Sequence, residues 1–102
     1  MFRYTTPTIP ITIDDVDFSA VDFFRIAIKK DSAQNLFVVP ADDARVDAAH
    51  NTINIELTQE QTAEYAAGYA LVQARIKYKN GRVQATKEAK LTVSDVIDEV
   101  VI

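Results

Sequence analysis

The residues Tyr69-Ala-Leu-Val-Gln-Ala-Arg-Ile-Lys-Tyr-Lys79, Asn80-Gly81 and Arg82-Val-Gln-Ala-Thr-Lys-Glu-Ala-Lys-Leu-Thr-Val93 read as two alternating runs joined by a tight turn. Asn-Gly between such runs is a strong hairpin signal, because a type I′ turn needs positive φ at both central residues. Asn tolerates that conformation and Gly adopts it freely. A two-residue turn then sets the register: Lys79 faces Arg82, Tyr78 faces Val83, Ile76 faces Ala85, Val72 faces Ala89 and Ala70 faces Leu91. Apolar residues meet apolar partners on one face. The other face carries Arg75, Lys77, Lys79, Arg82, Glu88 and Lys90. Lys87 alone puts a charge on the inner face, which calls for a β-bulge, an open end of the fold, or an ammonium that snorkels to water.

Upstream, Thr8 to Ile13 alternates with Ile9, Ile11 and Ile13 on one face, the period of a half-buried strand. Pro10 lacks an amide proton, so this strand belongs at an edge. Val21 to Lys30 alternates again, with Phe24, Ile26 and Ile28 inward, and is the expected central strand. Asp31 to Asn35 is turn-like, and Leu36 to Val39 is a short apolar run closed by Pro40. Ala41 to Asn51 is open to three readings: one helical turn, an irregular crossover, or a short strand near Arg45 to Asp47. Thr52 to Thr58 points Ile53, Ile55 and Leu57 inward.

Thr58-Gln59-Glu60-Gln61 has the form of a capping box, so a short helix is expected from residue 59 to about Tyr65, ending at Gly68. The sum is six or seven short strands with one brief helix at the crossover near residues 59–65. This is the pattern of an all-β, immunoglobulin-like antiparallel β-sandwich. Residues 1–94 form that domain, and residues 95–102 form an acidic, apolar tail. Val96, Ile97, Val100 and Val101 fit a helical stripe, whereas their β-branching favours extended chain. The tail, with Ile102, either adds a last strand or serves as a partner-docking arm.

The chain of 102 residues suits one domain with a single core. Without cysteine it has neither disulfides nor thiolate metal sites. No apolar run approaches the roughly 20 residues of a membrane span, and Met1 to Pro7 has no apolar signal-like region. A soluble, cytosolically made product without a signal peptide is expected. The net charge is −4 with a pI near 4.8, and the basic residues gather only on the outer strip of the hairpin. That balance disfavours nucleic acid as the main partner.

Candidate chemistry is sparse. His50 is the sole histidine, and no nucleophile elbow surrounds Ser19, Ser32 or Ser94. Asp14, Asp15 and Asp17, with Asp42, Asp43 and Asp47, form two acidic loops that lack the glycine and terminal glutamate of a calcium-binding loop. Turn formation accounts for them. Tyr65, Tyr69 and Tyr78 read either as core and corner residues or as a stacking platform for sugar. No catalytic residue, cofactor site or metal site is assigned, and the chain is not expected to be an enzyme.

Several motifs carry a family resemblance: Thr6-Pro7-Thr8, Ile55 to Thr62, Ala67-Gly68, Val72 to Arg75, Asn80 to Thr86, and the tail from Val93 to Val100. In this order they resemble small β-sandwich proteins of phage and prophage tail and baseplate genes, and more distantly the N-terminal domain of the phage baseplate upper protein. The resemblance implies a virion or prophage structural component, made in the bacterial cytoplasm and incorporated in the particle. Its motifs are structural and transfer no catalytic residues. Partners are then proteins, either other phage structural proteins or further copies of the chain. They would dock through Arg75, Lys77, Lys79, Arg82 and Lys90 and through the tail residues Val96, Ile97, Val100, Val101 and Ile102. The alternative is an immunoglobulin-like binding module for carbohydrate or a cell-surface ligand.

Overall fold

The computed structural model describes residues 1–29 and 36–102. In chain order its strands are β1 (Thr8–Thr12), β2 (Val21–Lys29), β3 (Leu36–Val38), β4 (Ala44–Asp47), β5 (Thr52–Glu56), β6 (Gly68–Tyr78), β7 (Val83–Ala85) and β8 (Ala89–Val93). One helix, α1 (Gln59–Ala63), lies between β5 and β6. Eight strands among the described residues thus replace the six or seven expected, because the hairpin's return arm is split and a short strand forms inside residues 41–51. The turn expected at Asp31 to Asn35 lies outside the described residues.

The strands form two antiparallel sheets of an all-β protein. One has the order β1-β5-β4. The other has the order β3-β2-β6, and the free side of β6 is shared end to end by β7 and β8. β1 is an edge strand, as Pro10 requires, and β2 is central. Alternation places Ile26 and Ile28 of β2, Ile53 and Ile55 of β5, and Val72 and Ile76 of β6 in one shared core. Each fully buried isoleucine contributes about 1.5–3 kcal/mol relative to an exposed one.

The segment left open by the sequence, Ala41 to Asn51, is a 3-10 turn, then β4, then a second 3-10 turn at Ala48–His50 that closes on Asn51 in the left-handed region. The expected capping box is present: the Gln61 amide donates to Thr58 Oγ1 at 3.2 Å and the Thr58 amide to Gln61 Oε1 at 2.8 Å. The helix stops at Ala63 rather than near Tyr65. Its last turn tightens as the Tyr65 amide bonds to the Thr62 carbonyl, which frees the Tyr65 ring for the core. Gly68, at φ +127°, opens β6 instead of capping the helix.

The hairpin is correct as a pairing of strands, but its turn is not type I′. Gly81 has φ +88° while Asn80 stays in the negative-φ region. The Gly81 amide donates to the Tyr78 carbonyl and the Tyr78 amide to the Arg82 carbonyl, which defines a three-residue loop with a glycine bulge. The register therefore slips by one near the turn, so that Lys77 faces Val83 and Ile76 faces Gln84. Farther along, Ala70 faces Leu91 and Val72 faces Ala89, as expected from sequence. Residues 86–88 oppose only residues 73–74, and this second bulge restores the expected register. The inward charge of Lys87 is accommodated at that bulge, where its side chain is exposed.

Candidate functional site

The outer face of the five-stranded sheet gathers Arg25, Lys29, Arg75, Lys77 and Lys90, none of which has an ion-pair partner among the described residues. Period two on β2 and β6, with Ile26 and Ile76 inward, sends Phe23, Arg25, Lys29, Arg75 and Lys77 outward. The pairing then builds rows across strands. Phe23 faces Lys77, which faces Val83; Arg25 faces Arg75, which faces Ala85; Lys29 faces Leu71, which faces Lys90. Phe23 is 54% exposed and Val83 59%, so the basic groups alternate with accessible apolar ones. The Lys77 ammonium lies 5.6 Å from the Phe23 ring centroid and that of Lys90 4.9 Å from the Tyr69 ring.

The Arg25–Arg75 pair is the central feature. Like charges placed directly opposite on one face repel, and neither guanidinium has an ion-pair partner among the described residues. An anionic surface laid across this face would relieve the repulsion.

Of the five basic residues expected from sequence, Arg75, Lys77 and Lys90 share this face. Lys79 and Arg82 do not join it. Lys79 turns toward the end of the sheet, where its ammonium donates to the Ser19 carbonyl at 3.0 Å. Arg82 lines a separate groove with Asp15 and Asp17, carried there by the slipped register. Phe23, Arg25 and Lys29 were not expected at the site. Their outward phase is visible in the alternation of β2, but the β2–β6 pairing that brings Arg25 onto Arg75 is a long-range contact.

The tail forms a second feature. Ser94 makes a parallel bridge with Phe2, and beyond it residues 95–102 form neither helix nor strand. Of the two readings left open, a last strand or an arm, these residues add no strand to either sheet, and side-chain bonds draw the chain aside. The Arg3 guanidinium donates to Asp95 Oδ1 at 2.7 Å, to Glu99 Oε1 at 3.0 Å and to the Ala63 carbonyl at 2.8 Å. The bond to Asp95 holds the Arg3 pKa above its usual value. Gln59 grips the other end, donating to the Ile102 carbonyl and accepting from its amide at 2.6 and 2.9 Å. Val96 is half-buried, whereas Ile97, Val100, Val101 and Ile102 are exposed, Ile97 and Ile102 almost fully.

Other candidates do not converge. His50 Nδ1 pairs with Asp47 Oδ2 at 2.8 Å, but the ring stands in solvent and no hydroxyl or thiol bonds to it among the described residues. Asp17 is held below the usual carboxylate range by Ser19, whose hydroxyl and amide both donate to it. Among the described residues no three acidic, histidine or cysteine side chains assemble into a metal-binding group. Nor do the three tyrosines form a platform. Tyr65 is 1% exposed, Tyr78 is half-buried with its hydroxyl donating to Gln84, and Tyr69 alone is open.

The sheet edges are poor templates for strand addition. The bonds from Ile13 to Asn51 and from Leu57 to Pro7 put odd-numbered residues of β1 in hydrogen-bonded pairs, so Pro10 sets its missing donor on the free edge. The opposite sheet's β7–β8 edge is broken by the bulge, and β3 and β4 have three and four residues. A groove of about 690 Å³ runs between β1 and β7–β8, lined by Ile9, Ile11, Val72, Ala89 and Leu91 among others. No helix among the described residues is long and apolar enough to cross a membrane.

Comparison of the chain with protein-family models, with curated proteins and with solved structures found no match.

Proposed function

We propose that the protein is a non-catalytic structural or assembly module that docks an acidic protein surface on the outer face of its five-stranded sheet. The observation that carries this reading is Arg25 directly opposite Arg75, without an ion-pair partner among the described residues and flanked by exposed Phe23 and Val83. Aromatic residues and arginine are the groups enriched at protein interfaces. The blunted edges favour docking through a face rather than by strand addition. The immunoglobulin-like assignment belongs to the same proposal, supported by two antiparallel sheets enclosing one core.

The motif resemblance to phage tail and baseplate β-sandwich proteins supports placing this module in a phage or prophage particle. Genomic neighbourhood tests that part of the proposal. Tail, baseplate or capsid genes on both sides are expected, and a cluster of metabolic genes without any particle gene would overturn it.

A further inference from the structure

Resting on that reading, we infer that the acidic partner is a second copy of this chain. The tail of one molecule seats on the basic outer face of the next. The two surfaces are complementary in charge and in kind. The tail carries Asp95, Asp98 and Glu99 against the single cation Arg3, a net of two negative charges, interleaved with exposed branched aliphatic residues. The face interleaves Arg25, Arg75 and Lys77 with Phe23 and Val83.

The tail is also prepared for a partner. Arg3 and Gln59 bond to both ends of it, so its backbone is held while Ile97 and Ile102 project into water. Burying these side chains would have stabilised the monomer, yet they stand in water. Fixing an arm before it binds lowers the entropy cost of docking. Phe2, bridged to Ser94 and also exposed, extends the apolar surface. The tail's bonds run to Arg3 and Gln59 and, among the described residues, none runs to Arg25, Arg75 or Lys77, so the face it meets belongs to another molecule. Tail on face is a heterologous contact, and a pair joined by it keeps one free tail and one free face. Repetition gives a ring or an open filament, and reciprocal exchange of two tails closes a two-fold dimer.

Sedimentation equilibrium of the full chain and two full-length variants tests this. Arg25→Glu/Arg75→Glu alters the face, and Ile97→Asp/Ile102→Asp alters the tail; all four positions are exposed, so circular dichroism should be unchanged. The wild-type mass should rise with concentration up to about 1 mM and fall again at high salt. Each variant alone should self-associate at least about tenfold more weakly. Mixed in equal amounts, the variants should form one-to-one dimers and nothing larger, since one intact tail meets one intact face. A strictly monomeric wild type, or variants that fail to combine while the wild type associates, would overturn the inference. If a monomeric wild type bound another acidic protein or duplex DNA through Arg25 and Arg75, the face would belong to that partner. Only the former of these would leave the proposed docking of an acidic protein standing.

Discussion

Thr86 and Ala74 exchange two hydrogen bonds across the broken edge of β6. The Ala74 amide donates to Thr86 Oγ1 at 3.0 Å and the Thr86 amide to the Ala74 carbonyl at 2.9 Å. A side-chain hydroxyl thus stands in for a main-chain carbonyl where the bulge has removed it, and Gln73 completes the repair by donating to the Thr86 carbonyl. Ala74 is fully buried, so this acceptor is its substitute for water. Thr86→Val should cost about 1–3 kcal/mol, the penalty of a buried unpaired amide, and Thr86→Ser should cost much less. Urea unfolding of the two variants measures the difference; equal stabilities would show that the hydroxyl bond contributes nothing.

The turn makes a separate prediction. Gly81 lies at φ +88°, and a Cβ there would meet nothing within 4 Å. Gly81→Ala should therefore cost only backbone strain, about 1–2 kcal/mol. That corresponds to a melting temperature lower by about 4–8 °C per kcal/mol in a domain of this size. Gly81→Asn should lose less, because asparagine tolerates positive φ. Asn80, outside that region, gains nothing from glycine.

Tyr65 links the core to alkaline stability. Its hydroxyl is buried without a hydrogen-bond partner among the described residues, and burial pushes its pKa up to about 12. An unfolded tyrosine ionises near 10. Between pH of about 10 and 12 the unfolded chain releases a proton that the folded chain keeps, so stability falls as pH rises. The slope approaches about 1.4 kcal/mol per pH unit at most. Tyr65→Phe should flatten the unfolding-against-pH curve in this window. At pH 7 it should be neutral or stabilising by up to about 1 kcal/mol, since the buried hydroxyl has nothing to lose.

The tail clamp should be more sensitive to arginine geometry than to charge. Arg3 reaches Asp95, Glu99 and the Ala63 carbonyl at once through a planar fork, which a lysine cannot copy. Arg3→Lys should free residues 97–102, lowering their heteronuclear NOE values and speeding amide exchange at Ile102 by roughly tenfold, the equivalent of about 1.4 kcal/mol. Global stability should change by less than that of the core variants. Unchanged relaxation in the tail would mean that Gln59 holds it alone.

What depends on neighbours along the chain was legible before any fold was known. Alternation marked β1, β2, β5 and β6, because successive side chains in an extended chain point to opposite faces. Thr58 and Gln61 announced the helix start through a bond spanning three residues, and Pro10 announced an edge by lacking a donor. Lys87 marked an irregularity because a charge falls out of phase there, and of the three readings it allowed the structure has the bulge. What depends on partners far apart came only with the packed strands. The turn at Gly81 took the bulged form, and the register slip moved Val83 outward and Arg82 away from the basic strip. The pairing of β2 with β6 set Arg25 against Arg75, residues 50 positions apart in the chain. Arg3 and Gln59 bound the tail through contacts that span 92 and 43 positions, turning a stretch that could have joined a sheet into a held, exposed arm. Local periodicity carries the phase of each strand, but only the contacts between strands say which charges meet.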